Sequence, residues 1–594
     1  MTFFRYLREI WNERKKDFSL IVFVMSAVAF VEAVKIMLIV PLLNYIFNQE
    51  MQMIDSSIGF LGLAIGFLKN VSSFLGLPFS LGFVLFFIIG VFCLGGALKI
   101  IQMHLQYKLR LEYMFFLSHK LFKSYLSSRW SFFVNNKPGK LVNILAVVIP
   151  QAGVAFHHLC ITIASFIVIL MYVSLAVFVS WKLTCLILLM LPLFFIFLRR
   201  LTNVSEEFGA QNIRMTNKLQ AESLENILSA KMIKASATEE QSLNCIDNLV
   251  KESHHYYYYT MMSSALMASL QEPMGIIILS LAIYVSLTFM NISSPAVILI
   301  LIIFFRLAPR FYELQRNYQQ SLIFIPAYYE VKKTISNNSE IKEKSGNLTI
   351  DDIKEEIAFE NVNFSHDKEN PVLKGINIRI AKGETIGIIG PSGSGKSTIA
   401  DLLVGLIKPD SGKILVDGVI LNAYDHNSWR KSVGYVTQEM NLFNDTVRTN
   451  LTWMRQDASE DEMVEAAKLG NAHDFITRLP NGYDTIIGDR GYRLSGGQRQ
   501  RIALSRVILS NPKIYIFDEA TSALDSESEV KIQQSIDSLA ASKTSLVIAH
   551  RISTLKNTSR IYVLDKGEIV ACGTWNDLIS KSEIFKDLVT MQSL

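Results

Sequence analysis

The sequence predicts an all-α membrane domain of six helical spans with long helices beyond the bilayer, followed by an α/β domain. Half of the 594 residues are hydrophobic, only 19% are charged, and the long apolar stretches all lie before residue 325. An average globular chain has about 25% charged residues, so this chain is too apolar for an ordinary soluble protein. The 37 Phe residues exclude a disordered or collagen-like chain.

Cysteine spacing and net charge exclude several classes of site. The cysteines form no CxxC pair and have no spacing typical of zinc ligands; they are Cys93, Cys160, Cys185, Cys245 and Cys572. The net charge of +5 gives no indication of a nucleic-acid partner. We therefore expect no disulfide framework, no zinc site and no nucleic-acid binding.

Six apolar segments are long enough to cross a bilayer, which takes about 20 helical residues. A helix satisfies its own backbone polar groups, so each segment can span alone. The predicted spans run from about Phe18 to Phe47, Phe79 to Ile101, Ala155 to Ser180, Leu183 to Leu198, Ser264 to Met290 and Pro295 to Phe311. The first span is too long for a signal-peptide core, so we expect it to remain in the protein.

The distribution of basic residues predicts the orientation of these spans. Five basic residues lie between Arg5 and Lys16 and seven lie between Lys108 and Lys140, whereas the first external loop contains only Lys69. Loops rich in Lys and Arg stay on the cytoplasmic side. We therefore expect a multi-pass protein of the inner (plasma) membrane with cytoplasmic N- and C-termini.

The connections between the spans differ in length and pattern. The segments from Gln102 to Asn143 and from Arg199 to Tyr259 keep helical spacing of apolar residues, which predicts helices that continue beyond the bilayer. In the first external loop, the apolar residues from Ile58 to Leu68 favour either an amphipathic interfacial helix or a loop packed on neighbouring spans.

A polar segment from Ser336 to Asp352 separates the two halves of the chain. It is rich in Asn, Ser, Lys and Glu and lacks apolar periodicity, which is typical of a linker. The predicted organisation is a membrane domain at 1–335, a linker at 336–352 and an α/β domain at 353–594.

The α/β domain contains a phosphate-loop pattern, GxxxxGK[ST]. It follows the apolar strand Thr385 to Ile389 and precedes the helical run Thr398 to Leu406, which is the context that the pattern requires. Glycines allow backbone N–H groups to surround phosphates, and the helix N-terminus favours an anion there. The predicted nucleotide-binding residues are Gly390, Pro391, Ser392, Gly393, Ser394, Gly395, Lys396, Ser397 and Thr398. Lys396 would neutralise the β- and γ-phosphates, and the Ser397 hydroxyl would bind Mg²⁺.

Two adjacent carboxylates, Asp518 and Glu519, end the apolar run that begins at Ile514. A carboxylate pair at the carboxyl end of a strand can hold magnesium and position an attacking water, as phosphoryl transfer requires. A solvated acidic loop is the alternative, but it is less favoured beside a phosphate loop.

Further motifs identify the α/β domain as similar to the ATP-binding cassette (ABC) family. The segment from Leu494 to Gln498 reads LSGGQ and resembles the family's signature sequence. Gln438 resembles the Q-loop glutamine, Ser522 to Asp525 resembles the D-loop, and His550 resembles the switch histidine. These elements stand in the order that the family has.

This resemblance implies a mechanism and a partner. In the family, two cassettes dimerise head to tail, and nucleotide closes the dimer. The implied partner is a second copy of the chain, with ATP and Mg²⁺ as cofactors. The implied contacts to the partner's ATP are Ser495, Gly496, Gly497 and Gln498. The implied catalytic residues are Lys396, Gln438, Glu519 and His550, and the implied Mg²⁺ ligands are Ser397, Gln438 and Asp518.

Two positions depart from the family's pattern. His366 stands where the family usually has a tyrosine that stacks on adenine, and Asp489 stands where it has the glutamate of the X-loop. An imidazole can still stack on a base, and aspartate keeps the negative charge on a shorter side chain.

Fusion of six spans to one cassette resembles the exporter-type half-transporters. Charged residues within spans are costly and therefore indicate either a cargo site or internal ion pairs. The candidate cargo residues are Lys35, Arg306 and Arg310, and the alternative is pairing with Glu32 or Glu272. The first span with Glu32 and Pro41, the apolar external segment after it, and the run from Phe305 to Pro309 resemble the flippases of lipid-linked oligosaccharides more than the multidrug exporters. This resemblance implies an amphiphilic cargo and contact with membrane lipids. A multidrug or peptide exporter, an ATP-gated channel or regulator, and an exporter-fold importer are the alternatives.

Overall fold

The computed structural model forms two compact units. The first comprises Met1–Ser128 and Phe133–Lys342, and the second comprises Arg129–Phe132 and Glu343–Leu594. The structure describes residues 2–38, 59–74, 76, 78–135, 138–179, 181–289, 294–340, 342–343, 345–367, 370–437, 441–518, 526–540, 543–549 and 552–593.

Helices make up the first unit. They are α1 (Thr2–Glu13), α2 (Lys15–Met37), α3 (Gly59–Phe74), α4 (Leu81–Leu126), α5 (Trp130–Asn135), α6 (Pro138–Asn143), a π-helical turn (Ile144–Val148), α7 (Ile149–Val179), α8 (Trp181–Leu228), α9 (Ala230–Ser236), α10 (Glu239–Phe289) and α11 (Ser294–Glu340). The first three residues of α5 belong to the second unit. Helix α3 lies in the predicted first external loop, so a helix rather than an irregular loop occupies this segment.

The predicted membrane spans lie on the longest of these helices. Within the described residues, four helical segments are long and apolar enough to cross a membrane: Lys15–Met37, Leu81–Leu126, Gly139–Val179 and Glu239–Val285. The other two predicted spans lie on α8 and α11, whose apolar segments include side chains outside the described part of the chain. Helix α10 has 51 residues, which is about 75 Å, far more than the ~30 Å hydrocarbon core. The expected extension of helices beyond the bilayer is therefore confirmed.

Helix α1 is attached to the C-terminal half of α11. Its Tyr6 side chain is fully buried and packs against the Tyr328 ring, with ring centroids 5.0 Å apart. The Glu9 carboxylate accepts hydrogen bonds from Lys332 Nζ at 2.7 Å and from the Tyr328 hydroxyl at 3.2 Å. The opposite face of α1 leaves Phe4 exposed, as expected of an amphipathic helix.

The second unit contains ten described strands in two sheets. The strands are β1 (Glu356–Asp367), β2 (Asn370–Ala381), β3 (Thr385–Ile389), β4 (Ser411–Val416), β5 (Val419–Ile420), β6 (Val433–Val436), β7 (Ile514–Asp518), β8 (Thr544–Ile548), β9 (Arg560–Asp565) and β10 (Glu568–Gly573). One sheet has the antiparallel order β2-β1-β4-β5. The other has the order β10-β9-β3-β8-β7-β6, in which only β10 is antiparallel to its neighbour.

Helices complete this α/β unit. They are α12 (Lys396–Val404), α13 (His426–Ser432), α14 (Val447–Thr452), α15 (Glu460–Leu469), α16 (His473–Thr477), α17 (Gly496–Leu509), α18 (Ser526–Ala540), α19 (Trp575–Lys581) and α20 (Glu583–Ser593). Every residue of β3, β7 and β8 is buried, because a parallel sheet is covered on both faces. The predicted fold class, a helical membrane domain followed by an α/β domain, is confirmed.

The segment predicted as a linker is more ordered than its composition indicates. Helix α11 continues to Glu340, and the two units divide between Lys342 and Glu343. Asn338 is only 1% exposed and donates a hydrogen bond to Ser124 Oγ at 3.3 Å. A polar side chain can be buried in a packed helix when it has a hydrogen-bond partner. Because the partner, Ser124, is distant in sequence, local composition does not reveal it.

The rest of the segment pairs with the chain that precedes α13. Leu348 N–H donates to the Ala423 carbonyl at 3.1 Å, and Asp425 N–H donates to the Leu348 carbonyl at 2.7 Å. Next to this pairing, the Glu343 carboxylate binds the Arg430 guanidinium at 3.0 and 2.5 Å. These interactions hold the start of the second unit against α13.

Arg430 also connects this segment to α12. Its Nη2 donates to the Gly405 carbonyl at 2.7 Å, and the neighbouring Trp429 indole N–H donates to the Leu403 carbonyl at 2.8 Å. A cation at a helix C-terminus is favoured by the helix dipole. The carbonyl groups at the end of α12 are thus satisfied by α13, which is itself paired with Glu343.

We predict that Arg430→Gln loosens the paired segment, because Glu343 loses its bidentate partner. Hydrogen exchange at the Leu348 amide should become about tenfold faster, since charge-assisted hydrogen bonds contribute about 1.5 kcal/mol or more. The exposed neighbour variant Lys431→Gln is the matched control and should exchange like the wild type. Unchanged protection in Arg430→Gln would show that the ion pair does not hold this segment.

Candidate nucleotide-binding site

The phosphate-loop sequence connects β3 to α12, as the sequence predicts. Gly390 and Gly395 are required by the backbone path of the loop. A Cβ atom at Gly390 would lie 2.0 Å from the Leu564 carbonyl oxygen, which is too close for any side chain. Gly395 has φ of +104° and directly precedes α12, a conformation that glycine adopts without steric cost. The loop therefore lies against β9 with its backbone at the start of α12.

The Lys396 ammonium lies in the centre of this loop. Its Nζ donates hydrogen bonds to the carbonyl oxygens of Gly390 and Pro391 at 3.0 and 2.9 Å. The residue is 6% exposed. A buried hydroxyl, Ser394 Oγ, has no hydrogen-bond partner within the described residues. A positive charge beside an unsatisfied hydroxyl at a helix N-terminus is suited to phosphate oxygens.

Oxygen ligands suited to magnesium lie next to the loop. Ser397 Oγ donates to Asp518 Oδ1 at 3.3 Å, and the Tyr435 hydroxyl donates to Asp518 Oδ2 at 3.2 Å. Asp518 is 5% exposed at the end of β7. Mg²⁺ prefers one or two carboxylates together with hydroxyl, water and phosphate oxygens. Ser397 and Asp518 therefore fit a magnesium ion that also binds nucleotide phosphates.

Three of the predicted residues, Gln438, Glu519 and His550, lie outside the described residues, as does the D-loop from Ser522 to Asp525. The structure does place the residues that precede them. Thr437, Asp518 and Ala549 end or follow β6, β7 and β8, which are adjacent and parallel. Because β3 belongs to the same sheet, these strand ends share one edge with the phosphate loop.

His366, the predicted adenine contact, lies near the end of β1 and is exposed. Its ring packs edge-to-face against Phe364, with centroids 5.0 Å apart. An exposed imidazole that is oriented by a neighbouring ring can stack on a nucleobase. Asp489, at the other position that departs from the family's pattern, begins a short 3₁₀ turn, Asp489–Gly491.

The signature sequence forms the N-terminal cap of α17. Ser495 Oγ accepts the Gln498 N–H at 3.2 Å, and Gln498 Oε1 accepts the Ser495 N–H at 2.9 Å. This reciprocal pair is a capping box. Ser495 and Gly496 are exposed, whereas Gly497 is buried. The helix N-terminus is thus fixed and accessible from solvent in a single copy of the chain.

Two residues near the site, Tyr435 and Asp401, have no recognisable sequence signal. Tyr435 belongs to β6 and reaches the Asp518 carboxylate. Burial, together with the nearby Asp518 carboxylate, raises the pKa of Asp401 to about 6. Only the fold could have revealed these residues, because Asp401 and Asp518 are far apart in sequence.

The structure also shows the surroundings of the three candidate cargo residues. Lys35 Nζ binds Glu32 Oε1 at 2.6 Å, and Arg310 Nη1 binds Glu313 Oε2 at 2.7 Å. Internal pairing, the alternative to a cargo role, therefore occurs for Lys35 and Arg310. Arg306 is exposed, and no ion pair of Arg306 occurs within the described residues.

We predict that Asp401→Asn stabilises the nucleotide-free protein at pH 7.5. A carboxyl whose folded-state pKa is raised favours folding less as pH rises between its unfolded value, about 4, and its folded value. Above pH 6 the penalty is complete, at about 1 to 3 kcal/mol, and asparagine lacks it. The thermal midpoint of the nucleotide-free variant should exceed that of the wild type at pH 7.5, and the two should converge towards pH 4.

The exposed variant Asp587→Asn is the control for loss of one negative charge. An equal gain in both variants, or a gain in Asp401→Asn that persists at pH 4, would contradict the assigned cause.

The similarity of this sequence to known proteins agrees with the geometry of the nucleotide-binding site. The family description "ABC transporter" matches residues 373–522, and "ABC transporter transmembrane region" matches residues 56–308. Two relatives from Staphylococcus aureus, strains NCTC 8325 and bovine RF122, are each 44% identical over 265 residues. They are named provisionally as multidrug export ATP-binding/permease proteins. The match covers 44% of this chain and 46% of each relative, so the chain spans about half the length of the curated relatives it matches.

A solved structure extends the similarity of fold to the whole chain. A bacterial Atm1-family ABC exporter with ATP bound matches with a TM-score of 0.79, over 99% of both chains, at 22% sequence identity. At this identity the match establishes the fold. With both family descriptions matched, the chain belongs to the ABC transporters and carries their membrane domain and ATP-binding domain in the exporter fold.

Proposed function

We propose that this protein is an ATP-driven exporter of amphiphilic molecules that works as a homodimer in the inner membrane with both termini in the cytoplasm. The observation that carries the proposal is the contact of Ser397 with Asp518 beside the Lys396 ammonium. This contact places a pair of metal ligands next to a phosphate-binding site. Both lie in the unit that also contains the accessible signature helix.

Each residue of the proposed site has a chemical task. Lys396 binds the β- and γ-phosphates, while Ser397, Asp518 and Gln438 would hold Mg²⁺. When bound there, Mg²⁺ would supply positive charge beside the transferred phosphoryl group. Glu519 orients the attacking water and accepts its proton, and His550 contacts the γ-phosphate. His366 stacks on the adenine.

The signature helix supports the proposed dimer. The first N–H groups of a helix have no intrahelical partner and favour an anion. In a single copy, Ser495 and Gly496 at the start of α17 are exposed. A γ-phosphate bound to the phosphate loop of a second copy would satisfy this helix N-terminus. ATP then supplies contacts to the closed dimer that ADP does not, so hydrolysis favours opening.

The proposed cargo is a lipid-linked oligosaccharide or a related amphiphile, moved out of the inner leaflet. Exposed Arg306 within the sixth predicted span supports an anionic headgroup, because a charge at that depth that has no ion pair with a described residue is costly without a ligand. The second candidate is multidrug export, which the names of the S. aureus relatives favour. Hydrophobic cations would then be the cargo.

We predict that a polyprenyl-pyrophosphate oligosaccharide stimulates ATP hydrolysis by the full-length protein in vesicles several-fold more than hydrophobic cationic drugs do. A cargo that favours the closed state accelerates turnover, whereas a bystander does not. Glu519→Gln is the control: it should bind ATP normally yet show almost no hydrolysis, since it lacks the proposed base. Stimulation by cationic drugs alone would favour multidrug export, and wild-type turnover in Glu519→Gln would contradict the proposed site.

A further inference from the structure

A group of basic side chains from three helices lies together in the first unit. We name Arg110 of α4, His157 and His158 of α7, and Arg316 of α11 the inner basic cluster. The Tyr107 ring stacks on His157, with centroids 5.4 Å apart, and the His157 and His158 rings are 5.7 Å apart.

Further contacts connect the two arginines to this group. A Cβ atom at Gly153 would lie 3.7 Å from Arg110 Cγ, and Gly153 is one helical turn before His157. On the other side, His158 Nδ1 and Asn317 Oδ1 form a hydrogen bond of 2.7 Å, and Arg316 precedes Asn317. Both guanidinium groups lie within electrostatic range of the His158 imidazole.

Several polar atoms in and beside the cluster have no hydrogen bond to the part of the chain that the structure describes. Arg110 Nε and His157 Nδ1 are buried without a hydrogen bond to any described residue, as is Nε2 of Gln106, which lies one turn before Arg110. Gln106 is only 5% exposed. Each unsatisfied buried group costs about 1 to 3 kcal/mol. A ligand with several acceptor oxygens would remove these costs.

Two acidic side chains on the same helices as the arginines have other partners. Glu112, on the same helix as Arg110, lies 3.9 Å from Lys108 Nζ. Glu313, on the same helix as Arg316, binds Arg310. Neither Arg110 nor Arg316 forms an ion pair with a residue that the structure describes. The cluster therefore keeps its positive charge, unlike Lys35 and Arg310, which are neutralised locally.

The cluster lies at one end of the predicted spans. Arg110 follows the span that ends at Ile101, His157 and His158 are near the start of the span from Ala155, and Arg316 follows the span that ends at Phe311. All three positions belong to the side of the spans on which the chain leaves α11 and enters the second unit at Glu343. These predicted span ends place the cluster near the boundary between the spans and their extensions, on the side of the headgroup layer that flanks the ~30 Å hydrocarbon core.

We propose that the inner basic cluster binds the phosphate or pyrophosphate headgroup of the amphiphilic cargo as it enters from the adjacent leaflet. Guanidinium groups bind phosphate oxygens in a bidentate manner, and the Gln106 amide and the Nδ1–H tautomer of His157 supply further donors. This inference rests on the proposed function. It assigns to Arg110 and Arg316 a role that the amino-acid sequence alone does not distinguish from the roles of other basic residues.

The test compares two ligands that share one apolar tail. Binding of farnesyl pyrophosphate and of farnesol to the full-length protein in nanodiscs is measured by calorimetry, with saturating ADP and Mg²⁺ to occupy the phosphate loop. Arg110→Gln should weaken farnesyl pyrophosphate binding about tenfold, as loss of a charge-assisted hydrogen bond predicts. Farnesol binding should not change, and Arg110→Lys should lose less affinity than Arg110→Gln.

Lys108→Gln is the matched control, because Lys108 is an exposed cation on the same helix, two residues from Arg110. It should bind farnesyl pyrophosphate like the wild type. Equal weakening in Lys108→Gln and Arg110→Gln, or no weakening in Arg110→Gln, would overturn the proposal. Arg316→Gln, which alters an exposed side chain, should also weaken binding and is a second test if Arg110→Gln fails to fold.

Inorganic pyrophosphate distinguishes the two sources of such a headgroup. Weaker binding of inorganic pyrophosphate than of farnesyl pyrophosphate supports a lipid ligand, and equal binding overturns the lipid assignment. Since no hydrolysis occurs in this experiment, headgroup binding can be established even if the transport assay fails. Conversely, ATP-driven transport that is insensitive to Arg110→Gln would refute the proposed role of the inner basic cluster and leave the proposed function intact.

Discussion

The contact between the phosphate loop and β9 is the constraint on which the rest of the second unit depends. A side chain at Gly390 would collide with the Leu564 carbonyl oxygen at 2.0 Å, so the loop must run directly along this strand. That position fixes the start of α12 and therefore Lys396 and Ser397. Because β3 lies between β9 and β8 in a parallel sheet, the end of β7 comes close to the loop. Asp518 reaches Ser397 as a result.

The same arrangement accounts for the unusual electrostatics around the site. Asp401 belongs to α12 and Asp518 to β7. Burial and the nearby Asp518 carboxylate disfavour the charged form of Asp401 and raise its pKa. Lys396 is kept close to the loop carbonyls by its own hydrogen bonds. Bound phosphates would compensate the positive charge of the buried ammonium, and a bound divalent cation would compensate the negative charge of the two carboxylates. In the nucleotide-free state, these buried charges therefore lower the folding stability of the protein.

Local patterns made much of the fold predictable. The strand Thr385 to Ile389 was predicted at the bounds it has as β3, because a buried parallel strand is a continuous apolar run next to a glycine-rich turn. The extent of α11 was not predictable, because Asn338 is stabilised by Ser124, which is 214 residues away. The pairing of Lys35 with Glu32 was among the sequence-based alternatives, since the two are three residues apart on a helix.

The inner basic cluster and Asp401 show where sequence reasoning stops. Arg110, His157 and Arg316 belong to three helices, and only their packing brings these side chains together. A titrating group such as Asp401 depends on burial and on a carboxylate from a strand more than 100 residues later. Motifs, by contrast, have a fixed spacing because their chemistry is local: the capping box of Ser495 and Gln498 needs only four consecutive residues.

The most direct test of the account is whether two copies enclose ATP between the phosphate loop of one and the signature helix of the other. Chains that carry Ser392→Cys are mixed with chains that carry Ser495→Cys, both with Glu519→Gln and without native cysteines, and a short thiol cross-linker is added. Both positions are exposed in a single copy. The account predicts cross-linked dimers with ATP and Mg²⁺ and few with ADP. A protein that stays monomeric while the wild type hydrolyses ATP at full rate would contradict it.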